Sequence, residues 1–350
     1  MIPKLSNFDF DLPEGLIAQK PTRRRGQSRL LVVNRENKSL THDKFSNLEN
    51  HLKNHPLMVF NDTRVIPAKL QANLEPTNRQ VEILLTRQLE PDIWEAMLKG
   101  LGRLKPGAKF NFENSDLSAQ FVGREDNRAH IKFSSQKQFS AFINQSGRMP
   151  LPPYIHRPYD TDPQTIAMDR KRYQTVFARN AGAIAAPTAG LHFTQIQLKN
   201  LRASFADTAH LTLHVGPGTF IPIREEEISR HKMQEEYFKI LPVNWNKITQ
   251  AKMKGQAILA VGTTGTRVLE TQGFERIIQK SVSGWTNCFI YPGWKFRMVD
   301  HLLTNFHLPK STLFLLVCAF MGKKLAEKAY SEAIKEKYRF FSYGDAMLIL

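Results

Sequence analysis

Two histidines stand where they could move protons near neutral pH, the range in which an unperturbed imidazole titrates. His192 closes the segment Pro187-Thr188-Ala189-Gly190-Leu191-His192, beside a predicted helix start that favours anions. His214 lies in a run where Leu211, Leu213 and Val215 alternate with His210, Thr212 and His214. Alternate residues of an extended chain face opposite ways, so His210, Thr212 and His214 are predicted to share one polar face. A structural, hydrogen-bonded pair of histidines would carry the same spacing. Three further polar clusters follow apolar runs: Asn61-Asp62-Thr63-Arg64, Gly216-Pro217-Gly218-Thr219, and Gly262-Thr263-Thr264, which leads on to Arg267 and Glu270. Each is ordinary turn chemistry taken alone. Together they sit just past strands, where open α/β sheets bind ligands.

Charge narrows the class of partner. The 350 residues carry 49 Lys plus Arg against 32 Asp plus Glu, a net +17, which points to a polyanion and first of all to nucleic acid. Tyr291-Pro292-Gly293-Trp294-Lys295-Phe296-Arg297 interleaves aromatics with bases, a composition that could stack a nucleobase or simply form an amphipathic hairpin. Arg23-Arg24-Arg25 and Lys171-Arg172 are candidate phosphate contacts or solvated faces. The two cysteines, Cys288 and Cys318, have no partner at metal-ligand spacing, so neither a metal site nor a disulfide is expected, and the compartment is expected to be reducing. No Walker loop or GxGxxG pattern is present. The longest apolar stretch, Leu313 to Met321, is too short to cross a bilayer, and Asp9 and Asp11 interrupt any signal peptide; a cytoplasmic protein is expected.

The elements that must hold these residues read as two kinds of text. From residue 63 to 150 the chain offers about six short β-rich runs, Val65 to Leu70, Gln80 to Thr86, Trp94 to Lys99, Lys109 to Phe112, Leu117 to Val122 and His130 to Phe133, the pattern of a small antiparallel β-barrel. On either side, Leu57-Met58-Val59-Phe60 and Ala257-Ile258-Leu259-Ala260-Val261 are strands expected to be buried on both faces, with helices between them. Thr194 with Gln197 forms a capping box opening a helix, and Ser311 caps another that ends near Gly322. The apolar terminus Ala346-Met347-Leu348-Ile349-Leu350 is expected to be a strand inside the sheet. The predicted fold is α/β, a large layered-sheet catalytic domain made of residues 1–62 and 151–350 and interrupted by an inserted β-barrel domain, 63–150.

At these clusters the chain resembles the S-adenosylmethionine:tRNA ribosyltransferase-isomerase family, the QueA family of queuosine synthesis. The resemblance runs through Phe8-Asp9-Phe10-Asp11-Leu12-Pro13, Ser28-Arg29-Leu30-Leu31, Asn61-Asp62-Thr63-Arg64-Val65, Leu151-Pro152-Pro153-Tyr154-Ile155, Arg172-Tyr173-Gln174-Thr175-Val176, Ala185 to Phe193, Leu213-His214-Val215-Gly216, Leu303 to Pro309 and Tyr338 to Ala346, and is weak in the barrel. Gly265-Thr266, Pro217 and Asn287 depart from it.

The resemblance implies that the ribosyl part of S-adenosylmethionine, a consumed co-substrate and not a cofactor, is transferred to 7-aminomethyl-7-deazaguanine at the tRNA wobble position. The product would be epoxyqueuosine, with adenine and methionine released, and the partner the tRNA anticodon region; no membrane and a monomer are expected. The sulfonium acidifies the ribose 5′ carbon, a base removes that proton, the ring opens with loss of adenine, and an epoxide forms as methionine leaves. His192 and His214 are the acid–base candidates and Asp62 the ribose or amine anchor. Arg64 and Arg267 would hold the methionine carboxylate or a phosphate. Asn61, Tyr154, Arg157, Tyr173, Thr188, Gly190, Gly216, Thr219, Thr263, Asn305, His307 and Asp345 are the further substrate-binding candidates. A tRNA-binding module without chemistry and an S-adenosylmethionine-dependent RNA methyltransferase remain as rivals, separated by their products.

Overall fold

The computed structural model describes residues 4–98, 100–158, 160–204, 208–220, 222–273 and 281–350. A hairpin of β1 (Arg29–Val33) and β2 (Leu40–Lys44) is followed by β3 (Leu57–Asn61) and the short β4 (Thr63–Val65). Next come β5 (Lys69–Leu74), β6 (Arg79–Gln88), β7 (Ile93–Leu98), β8 (Lys109–Asn111), β9 (Ser118–Glu125) and β10 (Arg128–Phe133). Helices α1 (Gln136–Ser146) and α2 (Pro163–Arg172) lead to β11 (Asn180–Ala183), α3 (Gln195–Ser204), β12 (Thr208–Leu213) and β13 (Glu236–Ile240). Then follow α4 (Pro242–Met253), β14 (Ile258–Val261), α5 (Thr263–Gln272), β15 (Val282–Thr286), β16 (His301–Asn305), α6 (Thr312–Met321), α7 (Lys323–Lys335) and β17 (Ala346–Ile349).

Nine strands form the large sheet in the order β15-β13-β12-β3-β14-β16-β17-β1-β2. Its centre, β12, β3, β14 and β16, is parallel. All four strands therefore point their carboxyl ends at one edge. Both faces of this sheet are covered, which is why β3 and β14 are continuous apolar runs. Leu31, Val33, Val59 and Ala260 join the core beneath α4 to α7, while Leu30, Val32, Phe60 and Val261 join a second layer with Phe177, Phe193 and α3. The expected C-terminal strand is present: β17 lies between β16 and β1 with all four residues buried.

Strands β5 to β10 close into a barrel in the order β10-β7-β6-β5-β8-β9, filled by its own core of Ile83, Phe110, Phe121 and Ile131. The run expected as one strand from Val65 to Leu70 is two strands. Pro67 has no N–H for a ladder and separates β4, which pairs with β11, from β5, which begins the barrel. Lys99, the expected end of another strand, lies outside the described residues. Both predicted helix starts carry their caps: Thr194 Oγ1 accepts from the Gln197 amide at 3.1 Å, and Ser311 Oγ accepts from the Phe314 amide at 3.2 Å.

Candidate functional site

A cleft of about 460 Å³ opens beyond the carboxyl ends of β14 and β16, with Val215 past β12 on its wall. Thr188, Thr263, Thr264, Asn305, His307 and Tyr154 are among the side chains that line it. Gly262, with φ +96°, turns the chain out of β14 into α5, so the first amides of a ten-residue helix open at the cleft wall. Those amides have no partner within the helix and favour an anion. Tyr154 closes another wall, its ring stacked on Phe341 at 4.4 Å and its hydroxyl 2.6 Å from Ser342 Oγ.

His214 stands one residue past β12, beside this cleft: Val215 lines it, and also lines a second, larger groove of about 980 Å³ between the barrel and the sheet edge, in which His214 and Gly216 lie. Its Nδ1 is 2.8 Å from Thr63 Oγ1, which is itself placed to donate to the Asn180 carbonyl at 3.4 Å. A hydroxyl that donates to the carbonyl accepts from Nδ1–H, and the imidazole lone pair then sits on Nε2. No hydrogen-bond partner of Nε2 occurs among the described residues. The ring rests on Gly182, where an added Cβ would come within 2.9 Å of it, and stacks over Tyr237 at 6.1 Å. Burial holds the His214 pKa below the ordinary imidazole value, with Asp62 pulling the other way. Asp62 is buried and accepts from Thr212 Oγ1 at 2.7 Å and Asn180 Nδ2 at 3.1 Å.

His192 has a different environment. Its Nδ1 faces Ser28 Oγ at 2.7 Å and its Nε2 faces Asn305 Oδ1 at 3.3 Å, so both nitrogens are engaged. Burial pushes its pKa down to about 4, and that of His307 down to about 3. Both are neutral imidazoles. His307 Nε2 bonds Thr304 Oγ1 at 2.8 Å, and Asn305 spends its amide on the Phe341 carbonyl at 2.9 Å. His210, on the same strand as Thr212, stacks on Phe60 at 5.7 Å.

Several predicted contacts are committed within the protein. Asn61 ties β3 to β12, accepting from the Thr63 and Leu213 amides and donating to the Leu213 carbonyl at 3.1 Å. Arg267 is buried, ion-paired with Glu236, and donates from Nε to the Cys288 carbonyl at 2.8 Å. Asp345 accepts from the Arg29 and Arg339 amides, pinning β17 to β1. Arg157 pairs with Asp169 at 2.6 Å beside a separate cavity of about 400 Å³ under the barrel. Tyr173 is fully buried. Gly190 is a packing requirement, since a Cβ there would meet Phe177 at 2.7 Å and Thr175 at 2.8 Å. Arg64 is exposed and makes no ion pair among the described residues. Thr219 belongs to the turn Pro217–Phe220, and its side chain lies outside the described residues.

The mixed aromatic and basic segment is anchored through its backbone, while the side chains of Lys295 and Arg297 are exposed. Glu270 accepts the amides of Arg297, Met298 and Val299 at 2.9 to 3.0 Å, and the Trp294 indole approaches the same carboxylate at 3.4 Å. Arg25 donates to the carbonyls of Leu191, Lys171 and Gln174, and Arg172 to that of Thr22. Arg23, Arg24 and Lys171 stay exposed. Ser28 lies in a family motif but has no role predicted from sequence, and sequence reasoning missed Gly182, Tyr237 and Glu236, whose Oε1 accepts the Gly216 amide at 2.8 Å. These residues lie in ordinary strand and loop text and meet the site only through pairing in space. Among the described residues no group of three or more His, Cys, Asp or Glu could hold a metal ion, and no helix is long and apolar enough to cross a membrane.

Comparison with known proteins bears on this arrangement as a whole. The model of a family described as queuosine biosynthesis protein matches residues 5–349. The chain is 45% identical over 348 residues to an S-adenosylmethionine:tRNA ribosyltransferase-isomerase of Acetivibrio thermocellus, covering 99% of each protein. A protein of the same name from Halothermothrix orenii is also 45% identical, over 99% of this chain and 100% of its own. The crystal structure of an S-adenosylmethionine tRNA ribosyltransferase from Thermotoga maritima is 34% identical, with a TM-score of 0.55 over 98% of this chain and 100% of that one.

Proposed function

The chain belongs to the family of queuosine biosynthesis proteins, and on that premise we propose how its cleft carries out the activity of an S-adenosylmethionine:tRNA ribosyltransferase-isomerase. Its substrates are S-adenosylmethionine and tRNA. The observation that carries the reading is the cleft at the strand ends, where family-motif residues converge on the N-terminus of α5. The methionine carboxylate lies at those amides, while Arg267 uses Nη1 on Glu236 and Nε on the Cys288 carbonyl. Thr188, Thr263 and Thr264 offer neutral donors and acceptors to the adenosyl group.

Chemistry begins at the ribose 5′ carbon, which the sulfonium acidifies. His214 is the base: its Nε2 carries the lone pair, the Thr63–Asn180 relay orients the ring, and Asp62 stabilises the imidazolium. Ring opening expels adenine, the aminomethyl nitrogen of the wobble 7-deazaguanine takes the carbon skeleton, and methionine departs as the epoxide closes. His307, a neutral imidazole in the cleft, is the candidate partner for the leaving adenine. His192 acts through Asn305 as a support of the wall. The reading includes no resident cofactor, a cytoplasmic location and a monomer binding the tRNA anticodon region.

Incubation with S-adenosylmethionine and tRNA carrying 7-aminomethyl-7-deazaguanine is expected to release adenine and methionine in equal amounts. Release of S-adenosylhomocysteine would identify a methyltransferase instead, and tight tRNA binding without any turnover would identify a binding module.

A further inference from the structure

We infer that the groove between the barrel and the sheet edge is the acceptor-base site, and that Trp285, braced by Tyr237 and flanked by Arg87, stacks the aminomethyl-deazaguanine of the tRNA there. This rests on the ribosyl-transfer reading and says where its second substrate lies.

The groove joins the barrel to the antiparallel margin of the sheet. His214, Tyr237 and Trp285 cross that margin as a row of rings on three neighbouring chain segments. The His214 amide donates to the Tyr237 carbonyl at 3.0 Å, and Tyr237 is the register partner of Trp285. Ring centroids are 6.1 Å apart from His214 to Tyr237, which stack, and 5.6 Å from Tyr237 to Trp285, which meet edge to face, so Tyr237 braces the indole rather than sharing its stack. The row runs from the proposed base outward to the rim of the groove, where Trp285 is 48% exposed. An indole about half exposed on an edge strand keeps part of its face open to a partner. From the barrel side, the Arg87 guanidinium hangs over the same indole at 5.6 Å. At that distance the guanidinium covers the indole face that a base would take, so Arg87 swings outward as the base stacks on Trp285 and then stands over it as a cation.

Charge selects the occupant. The groove is lined by Glu125, Asp126 and Glu235, which make no ion pair among the described residues, while Arg128 and, at 3.6 Å, Arg87 pair with Glu95. A phosphate chain would be repelled there, whereas a flat base carrying a primary ammonium gains both a stacking face and a carboxylate. The shared wall at Val215 then sets the bound amine beside the cleft assigned to S-adenosylmethionine. The phosphates themselves belong outside the groove, on the exposed cations.

The test compares Trp285→Ala, Trp285→Phe and Glu235→Gln with the wild-type protein in steady-state turnover, varying each substrate separately. Trp285→Ala is expected to raise the KM for modified tRNA by about 5- to 150-fold, the usual range for loss of one base–aromatic stack. The KM for S-adenosylmethionine and the melting temperature should stay unchanged, and Trp285→Phe should recover most of the loss. The free base 7-aminomethyl-7-deazaguanine should quench indole fluorescence in the wild type and not in Trp285→Phe. Glu235→Gln should weaken binding of that base while leaving 7-deazaguanine, which lacks the amine, unaffected. A Trp285→Ala protein with a tRNA KM within twofold of wild type would overturn the inference while leaving ribosyl transfer standing. Failure of the wild-type protein to release adenine would instead remove the underlying reading, and this inference with it.

Discussion

His192 and His214 look alike in sequence and differ in what surrounds them. Both nitrogens of His192 are engaged and its pKa is pushed down to about 4, so it stays neutral and cannot readily take a proton. His214 keeps Nε2 available, with Thr63 fixing the other nitrogen. Replacing His214 by Gln should lower kcat/KM by about 10²-fold or more with an unchanged melting temperature, because a positioned base contributes on that scale. Replacing His192 by Ala should instead cost about 1–3 kcal/mol of stability through the partners it leaves unpaired, with activity following the folded fraction. The pH profile follows from the direction of the shift. A base must be unprotonated, and burial lowers the His214 pKa, so wild-type kcat/KM should fall on the acid side with an inflection below the ordinary imidazole value. Matched melts and pH–rate curves for the two variants check this.

At the scale of elements, the site depends on strands that end together. β17 lies between β16 and β1, and Asp345 just before it holds the amides of Arg29 and Arg339. Deleting residues 346–350 removes an interior strand and leaves two ladders unpaired, so the truncated chain should fail to fold; a cooperative melt near the wild-type temperature would contradict that. That strand was legible because five consecutive apolar residues at a terminus have no other place to go. The caps at Thr194 and Ser311 and the runs in β3 and β14 were legible for similarly local reasons. Pro67 divides the apolar run from Val65 to Leu70 into two strands, since a proline within such a run demotes a strand. The partners of Arg267 and Asp345 could not be read. Glu236 lies 31 residues before Arg267, and Arg29 lies over 300 before Asp345, so only the folded sheet brings them together. Nor could strand parity separate His210, stacked on Phe60, from His214, whose function depends on the end of the strand rather than its face.

The whole molecule combines a net charge of +17 with a reaction groove that bears free carboxylates. Affinity for tRNA should therefore come from cations outside the groove, such as Arg23, Arg24, Arg64 and Lys171, which are exposed. Log affinity plotted against log salt should fall with a slope of roughly −0.7 to −0.9 per phosphate neutralised, and Arg64→Ala should flatten it by about one such step. A slope near zero would show that the positive surface does not hold the RNA. The central claim is that His214 takes the 5′ proton to start ribosyl transfer, and the fate of that hydrogen tests it most directly. With S-adenosylmethionine carrying two deuterons at the 5′ carbon, the wild-type protein should leave one in the modified tRNA and lose the other to solvent. His214→Gln should slow that loss in step with turnover. Modified tRNA that retains both deuterons, or a His214→Gln protein that exchanges the label at the wild-type rate, would contradict the account.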